Sequence, residues 1–185
     1  MELLIKRAQK GDNEAFIQAI NEYMPQMYKI AKSRLKNEED IGDAVQETIV
    51  SAFSNIKKLK QPAFFKTWII KILINKCNDI FEKNKIMHME DYETIENVQH
   101  ASVCSDNIDE ELDFYNILNN LSSEYRLVIV MYYVNRFTTR EISEILNEKE
   151  GTIKSRLSRA RQQLKTYYSN LDNENISFGG SFECI

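Results

Sequence analysis

Apolar residues recur at intervals of three and four from about Glu2 to Asn84, and again from Ile108 to about Tyr168. That is the spacing of helices with one buried face, and it outweighs period-two alternation so heavily that no convincing strand pair emerges. The first stretch is interrupted at Gly11-Asp12, Asn37-Glu38 and Gln61-Pro62, which predicts helix boundaries there. Between the two stretches, Ile86 to Asn107 is polar and acidic with isolated Ile and Val. Such a segment cannot bury enough apolar surface to offset its ordering entropy, so it predicts a linker. The expected fold is therefore all-α. Two small helical domains, 1–85 and 108–170, are joined by a flexible acidic linker, 86–107, and followed by a polar tail, 171–185.

Individual helices can be read by face. Over Glu38 to Lys57, Ile41, Ala44, Val45, Thr48, Ile49, Ala52, Phe53 and Ile56 form a broad apolar stripe, while Asp40, Asp43, Glu47, Val50 and Ser54 run down the opposite side. An acidic face carrying an exposed Val suits a protein partner, and a merely solvated face has the same composition. Over Ala63 to Glu82, Phe65, Trp68, Ile69, Ile72, Leu73 and Ile80 supply core, with Thr67, Lys71, Asn75 and Asn78 on another side. Amides and a lysine in that row are of the type that reads base edges or phosphates, and equally of a type that caps or solvates any helix. Phe64, Phe65 and Trp68 fit a core, and beside the Lys57 to Lys60 cluster they also fit a platform for stacked bases.

The second domain carries the sharper signal. Leu118, Leu121, Leu127, Val128, Val130, Met131 and Val134 predict a buried helix pair, with Ser122 as an N-cap. Thr138 and Glu141 have the spacing of a capping box, and Asn147 tolerates the left-handed conformation of a tight turn. In the helix that follows, Ile153, Leu157, Ala160 and Leu164 face inward, leaving Ser155, Ser158, Arg159 and Gln162 outward and Lys154, Arg156 and Arg161 beside them. Two short helices meeting at a tight turn, the second with a face of one charge sign, make a helix-turn-helix suited to the DNA major groove. The second domain is accordingly expected to be a four-helix unit built around that motif.

Charge supports this only when it is resolved along the chain. The formal net charge is -4, which taken alone opposes a polyanion partner. Yet Lys57, Lys58, Lys60, Lys66, Lys71, Lys76, Lys83 and Lys85 fall in one stretch, and Lys149, Lys154, Arg156, Arg159, Arg161 and Lys165 in another. Between Ile86 and Tyr125 there is no Lys or Arg, and Asp and Glu accumulate. Two basic segments flank an acidic one, an asymmetry that points to nucleic acid. Cys77, Cys104 and Cys184 are far apart and odd in number, so a reducing compartment fits better than a disulfide framework. Leu3-Leu4-Ile5 is cut short by Lys6-Arg7 and makes no signal peptide, and the longest apolar run, Leu127 to Val134, is too short to cross a bilayer. The expected location is cytoplasmic, with no membrane insertion of the chain itself.

At this point the chain resembles an extracytoplasmic-function sigma factor, a small bacterial RNA polymerase sigma subunit. The resemblance rests on Lys10-Gly11-Asp12 with Ala15-Phe16, on Asp43-Ala44-Val45-Gln46-Glu47-Thr48 ending in Ala52-Phe53, and on Phe65-Lys66-Thr67-Trp68-Ile69 with Asn75. It continues in Glu141-Ile142, Gly151-Thr152-Ile153-Lys154-Ser155-Arg156-Leu157 and Arg159-Ala160-Arg161. These pieces occur in the family's order from Met1 to about Tyr168. The turn departs from the family in carrying Asn147 for a Gly and Glu148 for an apolar residue.

The resemblance implies a promoter-recognition subunit. It places Asp40, Asp43, Gln46, Glu47 and Val50 on core RNA polymerase. It places Lys57, Lys58, Lys60, Phe65, Lys66, Trp68, Lys71, Asn75 and Asn78 at the minus-ten promoter element, where a flipped base is captured in a pocket. At the minus-thirty-five element it places Thr152, Lys154, Ser155, Ser158 and Arg159, with Arg156 and Arg161 on the DNA backbone. It also implies an anti-sigma factor as partner, and neither cofactor nor catalysis.

Two rivals share parts of this pattern. A stand-alone helix-turn-helix regulator would bind a duplex site without polymerase, and a protein-only adaptor would have no salt-dependent DNA affinity. An enzyme fits worst, for there is no Walker loop, nucleophile elbow or zincin helix. His88, His100 and Cys104 are scattered in the linker without a fourth metal ligand, so no metal is expected.

Overall fold

A computed structural model describes residues 1–90 and 117–178 of the chain, with side chains over 1–84 and 117–167. Among these residues the helices are α1 (Glu2–Gln9), α2 (Asn13–Arg34), α3 (Glu38–Asn55), α4 (Phe65–Glu90), α5 (Ser123–Ile129), α6 (Thr139–Leu146) and α7 (Glu150–Phe178), and no strand occurs. The fold is all-α and consists of two helical units.

The three predicted interruptions fall at the three turns of the first unit, and each has a local cause. Gly11 sits at φ +96°, a conformation glycine adopts without a steric penalty. Asp12 then caps α2 by accepting a hydrogen bond from the Ala15 amide at 3.0 Å, and pairs with Arg7 at 2.7 Å. Asn37 caps α3, its side-chain oxygen accepting from the Glu39 amide at 3.0 Å. Pro62 opens a single 3-10 turn, Pro62–Phe64, that leads into α4.

The predicted stripe of α3 is inside at Ile41, Ala44, Val45, Thr48, Ala52 and Ile56. Thr48 is tolerated there because its hydroxyl donates to the Ala44 carbonyl at 2.6 Å. Phe53 differs from expectation. It is half exposed and lies with its edge against Phe16, ring centroids 5.2 Å apart.

α4 departs further. Phe65, Ile69 and Leu73 are buried as predicted, but so are Ile70, Ile74 and Cys77, which lie off the predicted stripe. α4 also packs on α6 of the second unit, and Ile74 lines a cleft together with Leu127, Ile145 and Leu146. The thiol of Cys77 is correspondingly pushed up to about 12 by burial, which leaves it inert.

In the second unit Leu118, Leu121, Leu127, Val128, Val130 and Met131 form the core with Ile142, Ile145, Ile153, Leu157 and Ala160. Ser122 caps α5 by accepting from the Tyr125 amide at 3.4 Å. Arg126 is buried, yet its guanidinium donates to the carbonyls of Leu118 and Leu121, both at 3.2 Å. After α5 the chain widens into a π-helical turn, Val130–Val134, and leaves it through Asn135 and Arg136, the latter at φ 58°.

Two helices outrun their predicted ends. α4 continues to Glu90, five residues into the stretch read as linker, and α7 continues to Phe178, into the stretch read as tail. Neither overrun contains Gly or Pro to stop it, and α7 meets no such residue after Gly151 until Gly179. The rest of the predicted linker and tail, with His100, Cys104 and Cys184, lies outside the described residues.

The units do not stand apart. α2 packs on α5 and α4 on α6, and the buried residues of both join in one cluster. This juxtaposition decides which candidate residues face solvent.

Candidate nucleic-acid interface

The helix-turn-helix is built by local chemistry. Thr138 and Glu141 close the capping box at the start of α6: the Thr138 hydroxyl accepts from the Glu141 amide at 3.2 Å, and the Glu141 carboxylate accepts from the Thr138 amide at 2.8 Å. α6 ends at Asn147, in the left-handed conformation (φ 54°, ψ 43°), and the Glu148 amide donates to the Ser143 carbonyl at 3.0 Å. Asn147 thus takes the left-handed conformation that glycine most often supplies at the end of a helix. Glu148, in place of an apolar residue, accepts from Arg156 at 2.8 Å.

A second tie fixes the angle between the two helices. The Thr139 hydroxyl donates to the Glu150 carboxylate at 2.7 Å, and Lys154 pairs with the same oxygen at 2.9 Å. The Thr139 hydrogen bond, then Lys154, hold the Glu150 carboxyl below its ordinary value.

On α7, Lys154, Ser155, Ser158, Arg159 and Arg161 are exposed and Thr152 is half-buried. The Ser155 hydroxyl is turned to the carbonyls of Gly151 and Thr152 at 2.9 and 3.0 Å. Arg156 stands apart from its neighbours. Its side chain is only 20% exposed, and besides Glu148 it reaches Glu124 at 3.5 Å, so it braces α7 against the turn and α5.

On α3, Asp43, Gln46, Glu47 and Val50 are exposed, Val50 to 66%. Asp40 is half-buried and accepts from Asn84 at 2.8 Å. Glu47 pairs with Lys76 at 2.9 Å, which lowers its carboxyl below the ordinary value. The face remains open to a partner and apolar at Val50 and Phe53.

The third candidate group divides. Lys57, Lys58 and Lys60 are exposed on the loop before α4. Gln9 shapes that loop, its amide donating to the carbonyls of Ile56 and Leu59 at 3.1 and 2.7 Å. Phe65, predicted as a pocket wall, is 1% exposed and packs between Tyr23 and Trp68 at centroid distances of 5.6 and 5.8 Å. A ring enclosed in this way offers no face to a base. Phe64 is the aromatic on the surface, 56% exposed, and Trp68 is half-buried.

The row on α4 points toward the second unit. Lys66 donates to the Asn135 carbonyl at 2.9 Å, with its ammonium 4.0 Å from the Phe137 ring centre. Burial pushes the Lys66 ammonium below its ordinary value. Lys71 donates to the Glu144 carbonyl at 3.2 Å. Asn78 accepts from Arg34 at 3.2 Å, and Arg34 in turn donates to the Ser123 hydroxyl at 2.9 Å. Lys71, Asn75 and Asn78 line a cleft of about 160 Å³ whose other wall includes Asn147, Glu148 and Arg156.

Gln9, Arg34, Ser123 and the Thr139–Glu150 tie were not visible in the sequence. Arg34 and Ser123 are 89 residues apart and carry no motif, whereas Phe64 was discoverable from its place beside the lysine cluster.

Residues 19–86 match the sigma-70 region 2 family and residues 111–164 the sigma-70 region 4 family. The chain is 31% identical over 161 residues to the RNA polymerase sigma factor SigV of Bacillus subtilis, covering 87% of this chain and 93% of that protein. It is 29% identical over 179 residues to the ECF RNA polymerase sigma factor SigW of Bacillus subtilis, covering 90% and 96%. Among solved structures, the sigma factor RpoE of Bartonella quintana, in complex with the anti-sigma factor NepR, superposes with a TM-score of 0.67 at 26% identity, over 83% of this chain and 96% of that one.

Proposed function

The chain belongs to the extracytoplasmic-function sigma factors of RNA polymerase, and we propose that three of its surfaces carry out promoter-specific initiation. As an alternative sigma factor it binds core polymerase and directs transcription initiation. Asp40, Asp43, Gln46, Glu47 and Val50 on α3 form the polymerase-docking face. Lys57, Lys58, Lys60, Phe64, Lys66, Trp68, Lys71, Asn75 and Asn78 engage the minus-ten element. Thr152, Lys154, Ser155, Ser158, Arg159 and Arg161 read or hold the minus-thirty-five element, while Arg156 positions α7.

Sigma factors are initiation factors without a catalytic step of their own. Lysines and arginines supply affinity through phosphates, a few side chains on base edges supply specificity, and unstacked bases are captured to open the duplex. No described helix is long and apolar enough to cross a membrane, and the chain works where polymerase and promoter are, in the cytoplasm. By likeness to RpoE, an anti-sigma factor is a further partner.

The observation that carries this reading is the segregation of charge onto separate helices of one fold: an exposed acidic face on α3 and an exposed cationic face on the capped recognition helix α7. Run-off transcription with purified core polymerase on a promoter library is the test. Promoter-specific transcripts that require the added chain are expected. Occupancy of duplex sites without polymerase, and no transcripts with it, would instead favour a stand-alone regulator.

A further inference from the structure

We propose that the cavity where α2, α4 and α5 meet is a binding site for a small organic di- or triphosphate of nucleotide size. Promoter recognition does not call for such a ligand. Of the residues that line the cavity, only Asp40 belongs to a surface assigned to polymerase or DNA.

The cavity measures about 440 Å³, within the roughly 300–1,000 Å³ of small-molecule sites. Arg34 lines it from α2, Phe81 and Asn84 from α4, Ser123 and Arg126 from α5, and Lys36 from the turn between α2 and α3. Three cations therefore face one carboxylate, that of Asp40, which is occupied in accepting from Asn84 at 2.8 Å. Among the described residues no carboxylate forms an ion pair with Arg34, Lys36 or Arg126.

Arg126 is 8% exposed, and burial pushes its guanidinium below its ordinary value. Two of its nitrogens donate to the carbonyls of Leu118 and Leu121, both at 3.2 Å. Those carbonyls hold the side chain in place but bring no counter-charge to a buried cation. Arg34 is held in the same way by neutral groups, the Asn78 amide at 3.2 Å and the Ser123 hydroxyl at 2.9 Å. A guanidinium has five N–H donors, so each arginine keeps donors in reserve. Lys36 is exposed beside them. Like charges gathered around one space repel until an anion sits among them.

The class of anion follows from number and size. A monocarboxylate would answer one cation of the three, whereas a di- or triphosphate brings several charges and oxygens in the geometry that guanidinium groups grip in pairs. Phosphates alone would leave much of the space empty. The remainder borders the Phe81 ring, 38% exposed with the Arg34 guanidinium 5.0 Å from its centre, and the amides of Asn37 and Asn84. An aromatic face with amides beside it suits a flat heterocycle with a hydrogen-bonding edge. Because the lining comes from both units, a bound ligand stabilises the folded chain as a whole.

The test is calorimetric titration of the full chain with ADP at physiological salt, with the melting temperature as a second readout. One-to-one binding and a raised melting temperature are expected, with pyrophosphate about tenfold weaker and adenosine silent. Lys36→Glu and Arg34→Gln should each weaken ADP binding about tenfold or more. Lys36 is exposed, so its variant tests the site without threatening the fold, and circular dichroism checks Arg34→Gln. Lys58→Glu and Arg159→Ala, on the two DNA-binding surfaces, should leave ADP affinity unchanged. Absence of binding at millimolar ADP overturns the proposal. So does a loss in Lys58→Glu or Arg159→Ala equal to that in Lys36→Glu, which would put the phosphates on a nucleic-acid surface. Pyrophosphate binding as tightly as ADP would overturn the nucleotide-sized ligand, because the ring would then contribute nothing.

Discussion

α4 and α7 carry the same kind of row, lysines or arginines mixed with small polar residues at helical spacing, yet they meet different fates. On α7 the row Lys154, Ser155, Ser158, Arg159 is exposed. On α4 Lys66 and Asn78 are half-buried at the contact with the other unit, Lys71 and Asn75 are exposed at its edge, and both lysines end on backbone carbonyls. Periodicity reports which residues point away from a helix's own bundle. It does not report what another bundle will lay over them. The difference lies in the neighbouring apolar positions, because Ile70 and Ile74 give α4 a second face to bury whereas α7 has one.

The largest effect that would break this comparison concerns the aromatics at the head of α4. Phe65→Ala should lower unfolding free energy by about 3–5 kcal/mol in urea titration, because it empties a fully buried site. Phe64→Ala should change stability by less than about 0.5 kcal/mol, and should weaken single-strand binding by about 1–3 kcal/mol. The reverse assignment, a stable Phe65→Ala that loses DNA binding, would return Phe65 to the surface.

Next come the two arginines of α7. Arg159→Ala should weaken promoter binding by about 1–3 kcal/mol, more on the native sequence than on scrambled DNA. Arg156→Ala should instead loosen the turn, lowering stability by about 1 kcal/mol through loss of Glu148 and Glu124, with nearly equal DNA losses on both sequences. Equal discrimination by the two variants would erase the distinction between reading and bracing.

Polymerase capture tests the acidic side of the molecule. Glu47→Lys should weaken core binding in a titrated pull-down about tenfold, or 1.4 kcal/mol. It also sets a cation against Lys76, 2.9 Å away in the native pair, but at an exposed site, so the melting temperature should move little. Unchanged capture would detach the α3 face from polymerase.

What the sequence made legible follows the range of the forces involved. The Ser122 and Thr138 caps, the helix boundaries at Asp12 and Asn37, the left-handed Asn147 and the α3 stripe are settled within a few residues, and each was readable. The resemblance implies a DNA-backbone contact for Arg156, and nothing local announces Glu124, 32 positions earlier, as its partner. Likewise Lys66 and Asn135 are 69 residues apart, and their contact depends on how two separately readable units meet. Thr138→Ala isolates the legible layer: it should cost about 1 kcal/mol in urea titration, the value of one cap.

The smallest effect is a titration at the start of α7. Glu150 is held below 4.5, its ordinary value, first by the Thr139 hydroxyl and then by Lys154. The folded state therefore binds this proton less readily than the unfolded one. The stabilisation is fully present above 4.5 and is lost as pH falls through the depressed value. Lys66 has the opposite consequence: burial disfavours its charged form, so a cost present at neutral pH is relieved as pH rises toward 10.5, partly offset by attraction to Glu141. Acid should thus loosen the recognition-helix turn while leaving the contact between units intact. A carbon-detected titration of the Glu150 carboxyl should give a midpoint below 4.5 that moves up in Thr139→Val. A midpoint indifferent to Thr139 would mean that the tie between α6 and α7 does not persist in solution, and that apolar packing of α6 on α7 sets the recognition angle alone.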